Sequence, residues 1–170
     1  MQNRHQPTNT DEIPYSRMVL AGVVVAFAGA ATTLYVEFII LSAARHSNFS
    51  LREFWEPGRQ VLAALPFVAL AVLALGIPLG LIADKIARRF FGHHWASAGV
   101  FFICGITAGA IMCGIFGLDL TFGVAAAVAA PLAQAGAYRL ARNRTILTSL
   151  TLICIALTCT TLAIWAFSIA

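Results

Sequence analysis

The sequence predicts an all-α polytopic integral membrane protein: a bundle of five transmembrane helices with the amino terminus inside and the carboxyl terminus outside. Three observations predict it. Of 170 residues, 60% are hydrophobic and only 11% charged, where a soluble domain carries about a quarter charged. The apolar residues gather into runs at 18–44, 61–83, 96–118, 120–138 and 145–170, each close to or above the ~20 residues that cross a hydrocarbon core ~30 Å thick. The bases fall between those runs and are biased to alternate sides, which is a topology signal. A cytosolic globular enzyme is excluded, because eleven Lys and Arg and seven Asp and Glu cannot clothe a soluble sphere of this size.

The elements follow in order. Residues 1–17 are polar, with Pro7 and Pro14, and are expected to be a disordered cytoplasmic tail. The first run, 18–44, far exceeds the 7–15 residues of a signal-peptide core and reads as a signal anchor. Between the first two runs, Ser50-Leu51-Arg52-Glu53 matches a capping box, and Pro57-Gly58 is expected to stop the turn. A short helix lying on the outer surface, with Phe54 and Trp55 at headgroup depth, is expected there in preference to a ligand lid.

The second run, 61–83, contains Gly76-Ile77-Pro78-Leu79-Gly80. Pro78 has no N–H to donate to residue 74, so a kink is expected around Gly76, Pro78 and Gly80. Residues 84–95 read as a helical extension carrying Lys85, Arg88 and Arg89. These bases, with Arg139, Arg142 and Arg144 further on, are expected to meet lipid headgroups.

Residues 96–138 as one helix would be about 64 Å long, twice what a bilayer accepts, so the chain must turn back at Gly117-Leu118-Asp119. Gly117 supplies a left-handed residue, and Asp119 or Thr121 can cap the next helix. Small residues recur every fourth position on both arms, Gly105 and Gly109 on one, Gly123, Ala127, Pro131 and Ala135 on the other. They read as packing faces, either within the chain or between copies. With all five runs spanning, the inner segments carry eight bases and the outer ones three, whereas a re-entrant fourth run would leave five inside and six outside; the bias sets the amino terminus inside. Ten of the eleven bases are Arg, a composition that points to a bacterial plasma membrane.

Candidate chemistry is sparse. Glu37 is the only ionisable residue inside an apolar run, and an intramembrane carboxylate is a functional hypothesis by default; its position after 18 apolar residues also fits an acid at the outer boundary, hydrated or paired with Arg45 or Arg59. Asp119 is expected near the same face and could act with Glu37 if the first helix packs on the hairpin. Thr151, Cys154, Thr158, Thr161, Trp165 and Ser168 form a polar face of the last helix, able to line a path, to bond across helices or to bond back to their own backbone.

His93 and His94 are adjacent and lack further ligands, so no metal is expected. No motif for a thiol oxidoreductase, a serine hydrolase, a zinc protease or a phosphate loop is present, and no cofactor is expected. The partner expected is the lipid bilayer, with a homo-oligomer or partner membrane subunit, and no nucleic acid. The leading expectation is a non-catalytic structural or accessory subunit of a membrane assembly. A small transporter or channel for protons, cations or a small solute is the alternative, and a lipid-modifying or intramembrane-cleaving enzyme a distant third.

Overall fold

Hydrocarbon offers no hydrogen-bond partner to a peptide group, so a chain of this hydropathy must satisfy its backbone internally, and helices do so segment by segment. The computed structural model describes residues 13–45, 51–90 and 94–169, with side chains omitted at 45, 51–54, 88, 90, 94–96, 116, 168 and 169. Among the described residues there is no strand, and five helices are long and apolar enough to cross a membrane.

Helix α1 (Tyr15–Arg45) starts on the carbonyl of Pro14, which accepts from the amides of Arg17 at 2.9 Å and Met18 at 3.2 Å. The disordered tail expected over 1–17 therefore ends earlier; its first twelve residues lie outside the described ones. Ile13 packs on a cluster of Ala21, Val24, Ala141 and Leu147, which fixes the approach of the chain to the helix.

The second candidate span is one rod built from α2 (Leu51–Ala71), a π-helical turn (Val72–Gly76) and α3 (Ile77–Phe90). This corrects two expectations. Pro57-Gly58 does not end a separate surface helix: α2 runs through Pro57, whose ring is fully buried, while a Cβ on Gly58 would lie 3.9 Å from the Tyr35 ring. Packing against α1 thus offsets the one backbone bond that Pro57 cannot make. The perturbation expected around Pro78 is a widened turn just before it: the Ile77 N–H donates to Val72 O, five residues back. With no donor at Pro78, the backbone relaxes into an i→i−5 pattern.

Helix α4 (His94–Phe116) and helix α5 (Leu120–Arg142) form the hairpin. Gly117 takes φ +62°, the left-handed region, where a side chain costs roughly 1–2 kcal/mol. Asp119 occupies the N-cap position of α5, but its side chain makes no capping bond; its carbonyl accepts from the Phe122 amide at 3.0 Å and the Cys113 thiol at 3.4 Å. Thr121 does not cap either, since its Oγ1 is buried with no hydrogen-bond partner.

Helix α6 (Arg144–Ile169) follows after the single residue Asn143. The segment expected as a loop between 138 and 145 is therefore almost entirely helical. Asn143 serves both ends: its amide donates to Leu140 O at 3.1 Å, and its Oδ1 accepts from the Ile146 amide at 3.2 Å. Arg139 and Arg142 fall in the last turn of α5, where cations oppose the negative helix end.

Helix α5 is central, packed between α1 and α4; α2 lies on α1, α3 on α4, and α6 sits at the edge against α2, α1 and α5. The main cluster joins Phe27, Ala30 and Leu34 of α1, Val61, Leu65 and Val68 of α2, and Ala125 and Ala129 of α5. Successive crossings alternate in direction, so Arg17, Lys85, Arg89, Arg139, Arg142 and Arg144 gather at one end of the bundle, called here the basic end. Tyr15 and Tyr138 are exposed at that end, and Trp55, Trp165 and Phe167 at the other. Arg144 to Trp165 rises about 32 Å along α6, close to one hydrocarbon thickness.

Candidate functional site

Side chains of Gly and Ala let helix backbones meet, and this chain uses them on two faces of α5. Toward α4, a Cβ on Gly105 would lie 2.6 Å from Ala126 O and 2.9 Å from Ala127 Cα, and one on Gly109 only 2.6 Å from Gly123 Cα. The four small residues Gly105, Gly109, Gly123 and Ala127 therefore meet inside one chain, across the hairpin. The contact does not continue along the four-residue stripe, because a helix turns in 3.6 residues and a strict step of four drifts around it. Ala135 is exposed, and the line of contact passes instead through Ala130 to Gln134, whose Nε2 donates to Ser97 Oγ on α4. Toward α1, Gly29 faces Ala129 and Leu132, and Gly136 faces Val25.

Those contacts give α1 and α5 an antiparallel register that brings the Glu37 level of α1 to the start of α5. The first helix does pack on the hairpin. Glu37 is partly buried, and its Oε2 has no hydrogen-bond partner. Asp119 is exposed. Arg59 pairs with Glu56 at 3.4 Å on the surface of α2, and the Arg45 side chain lies outside the described ones. Thr121 Oγ1, near this level on α5, is the second buried side-chain atom without a partner.

The hydroxyls of α6 are committed to their own backbone. Thr151 donates to Leu147 O at 2.7 Å, Thr158 to Cys154 O at 2.8 Å, and Thr161 to Leu157 O at 2.9 Å. The Ser168 side chain lies outside the described ones. Trp165 meets Phe67 edge to face at 6.1 Å, so this face turns toward α2 without joining it by hydroxyl bonds. The four cysteines are free thiols. Among the described residues no three His, Cys, Asp or Glu converge on a metal-sized site; His93 lies outside them, as do the side chains of His94 and Arg88.

A cleft of about 240 Å³ lies between α1, the α2–α3 rod, α4 and α5. Its size follows from composition: Gly22, Ala26, Ala30, Ala126, Ala133 and Gly105 line it with short side chains, and the turn Val72–Gly76 bulges the rod beside it. Gly76 and Gly80 are both in the lining, while Pro78 is exposed. The cleft runs along α1 from Tyr15 to Leu34, about 28 Å of helix. Of its polar members, Tyr15 and Asp84 stand toward the basic end and Gln134 lies further in, level with Ala26, as does Cys104; Leu34, Phe67, Met112 and Phe122 line the opposite end. Lys85, Arg89, Arg139, Arg142 and Arg144 are exposed. No pattern in one dimension points to this cleft, since it arises from the pairing of four separated segments.

Compared with known proteins, the chain matches no family model, no curated protein and no solved structure.

Proposed function

We propose that this chain is a multi-pass membrane protein that works as a non-catalytic accessory subunit of a membrane assembly, with its basic end in the cytosol of a bacterial cell. The observation that supports the reading is the uneven packing of α6. That helix is tied near its start, where Leu147 joins Ala21, Val24 and Ala141, at Cys154, which packs on both core clusters, and near its end, where Trp165 meets Phe67. Between them Leu152, Ile153, Ile155, Leu162 and Ile164 stand uncovered, and the exposed Thr160 hydroxyl on that side donates to Ala156 O of its own helix. Helices α1 and α4, by contrast, each close on α5 at glycine and alanine contacts. A rigid core with one loosely held outer helix suits a neighbour docking on that helix.

The test is cross-linking in the native membrane from cysteines placed at Ile153 and Ile155, with every native cysteine replaced, followed by sizing in a mild detergent. Recovery of a homo-oligomer or a stoichiometric complex is the expected result. A monodisperse single copy with no adduct at either position would overturn the reading.

A second reading, a small transporter or channel, is supported by one observation: Glu37 lies within a crossing helix and leaves Oε2 buried and unbonded. A carboxylate kept in such a place costs stability and is a functional hypothesis by its position. Flux of protons or cations into liposomes holding the purified chain, lost in Glu37→Gln, would move the assignment to this class. Flux unchanged in that variant, or none, would remove it.

A further inference from the structure

We infer that the cleft between α1, the α2–α3 rod, α4 and α5 binds the hydrocarbon chain of an anionic membrane lipid, whose headgroup rests at the basic end. This goes beyond the accessory reading, since the site lies within one copy and needs no assembly.

The lining decides the chemistry of the occupant. Along most of its length the cleft presents side chains such as Val23, Ala30, Leu75, Ala108 and Ala129. A water needs two to four polar partners to stay in a buried cavity, and an ion needs more; neither finds them there. An apolar cavity of about 150 Å³ already binds benzene, and this one holds about 240 Å³ drawn out along the helices. A slender apolar chain fits that shape.

No polar side chain lines the far end. Tyr15 and Asp84 stand where the cleft meets the basic end, and Gln134, tied to Ser97 across the hairpin, lies further in, level with Ala26. A ligand that is apolar along its length and polar at one terminus is an amphiphile. The charge of the head follows from the surroundings: Arg17, Lys85, Arg89, Arg139, Arg142 and Arg144 gather there against Asp84, the only acid among the described residues of that end. Cations clustered at a membrane face attract anionic headgroups. A zwitterionic lipid offers the same chain and loses this attraction.

The experiment uses the full chain in nanodiscs of phosphatidylglycerol and phosphatidylcholine, with a trace of phosphatidylglycerol carrying a photoreactive diazirine at the end of one acyl chain. After illumination, peptide mapping is expected to find the adduct one leaflet's depth, ~15–20 Å, in from the basic end, around Ala26, Ala30 and Ala130. Unlabelled phosphatidylglycerol should compete it away at lower content than phosphatidylcholine.

Ala26→Phe and Ala108→Phe, on two different helices, fill the cleft from opposite walls. Each should lower the adduct yield by about tenfold, the equivalent of ~1.4 kcal/mol of affinity, at an unchanged melting temperature. Leu152→Phe, on the uncovered face of α6, should not lower it. Using two walls guards against one variant failing to fold. Adducts spread along α6, or a yield that neither folded filling variant lowers, would overturn the site. Equal competition by the two lipids would overturn the anionic headgroup.

Discussion

At Gly109 a single hydrogen atom stands between two backbones. A methyl group there would lie 2.6 Å from Gly123 Cα and 2.9 Å from its carbonyl oxygen, and neither atom can move without shifting a helix. Gly109→Ala is therefore expected to destabilise the protein by about 1–3 kcal/mol, the cost of overpacking, read as a lower midpoint in denaturant titration in micelles. Gly114 provides the contrast. It lies one turn further along the same helix, and a Cβ there meets nothing within 4 Å, so Gly114→Ala should be neutral or stabilising by up to about 1 kcal/mol. If the two variants behave alike, the hairpin is not closed by contact at Gly109. Composition shows both glycines equally; only the facing helix separates them, and for that reason the sequence marks a small-residue face without saying which glycine is indispensable.

Between elements, the hydrogen bond from Gln134 to Ser97 joins α4 and α5 near the basic end. Bonds of this kind in membrane proteins contribute about 0.6 kcal/mol and at most about 1.7. A double-mutant cycle with Ser97→Ala and Gln134→Leu should return a coupling in that range, measured by the same titrations; additive effects would show that the two side chains act separately. The partners are 37 positions apart, and no local pattern pairs them, since the match depends on the register set at Gly105 and Gly109. The long apolar crossings were legible because hydropathy and length act along the chain itself. The course of α2 was not: Pro57-Gly58 reads locally as a stop, and its burial beside α1 overrides that preference. The widened turn at Val72–Gly76 falls between these cases, since Pro78 announces a missing donor but not on which side the backbone yields.

For the molecule as a whole, alternation of the crossings separates Asn143 and Lys85 from Glu56 and Arg59 by the thickness of the bundle. With native thiols replaced, Glu56→Cys should react with an impermeant maleimide from outside intact cells, and Asn143→Cys only after permeabilisation. Reaction of both from the same side would contradict an odd number of crossings, and the reversed pattern would invert the orientation inferred from the bases. The same reagent tests what occupies the cleft. A cysteine at Ala30, in the cleft lining, should stay unreactive if the cleft holds hydrocarbon and become reactive if water fills it. The cleft itself was beyond reach from the sequence, because it is bounded by four segments whose mutual placement is a property of the folded bundle.

The connections have a consequence for how copies could associate. Only residues 117–119 join α4 to α5, a reach of about 11 Å when fully stretched against 8–10 Å between packed axes; Asn143 alone joins α5 to α6. Neither tether is long enough to lend a helix to a neighbouring molecule and leave its own place vacant. Separate exchange of α5 or α6 between protomers, with its neighbour in the chain left in place, is thus closed.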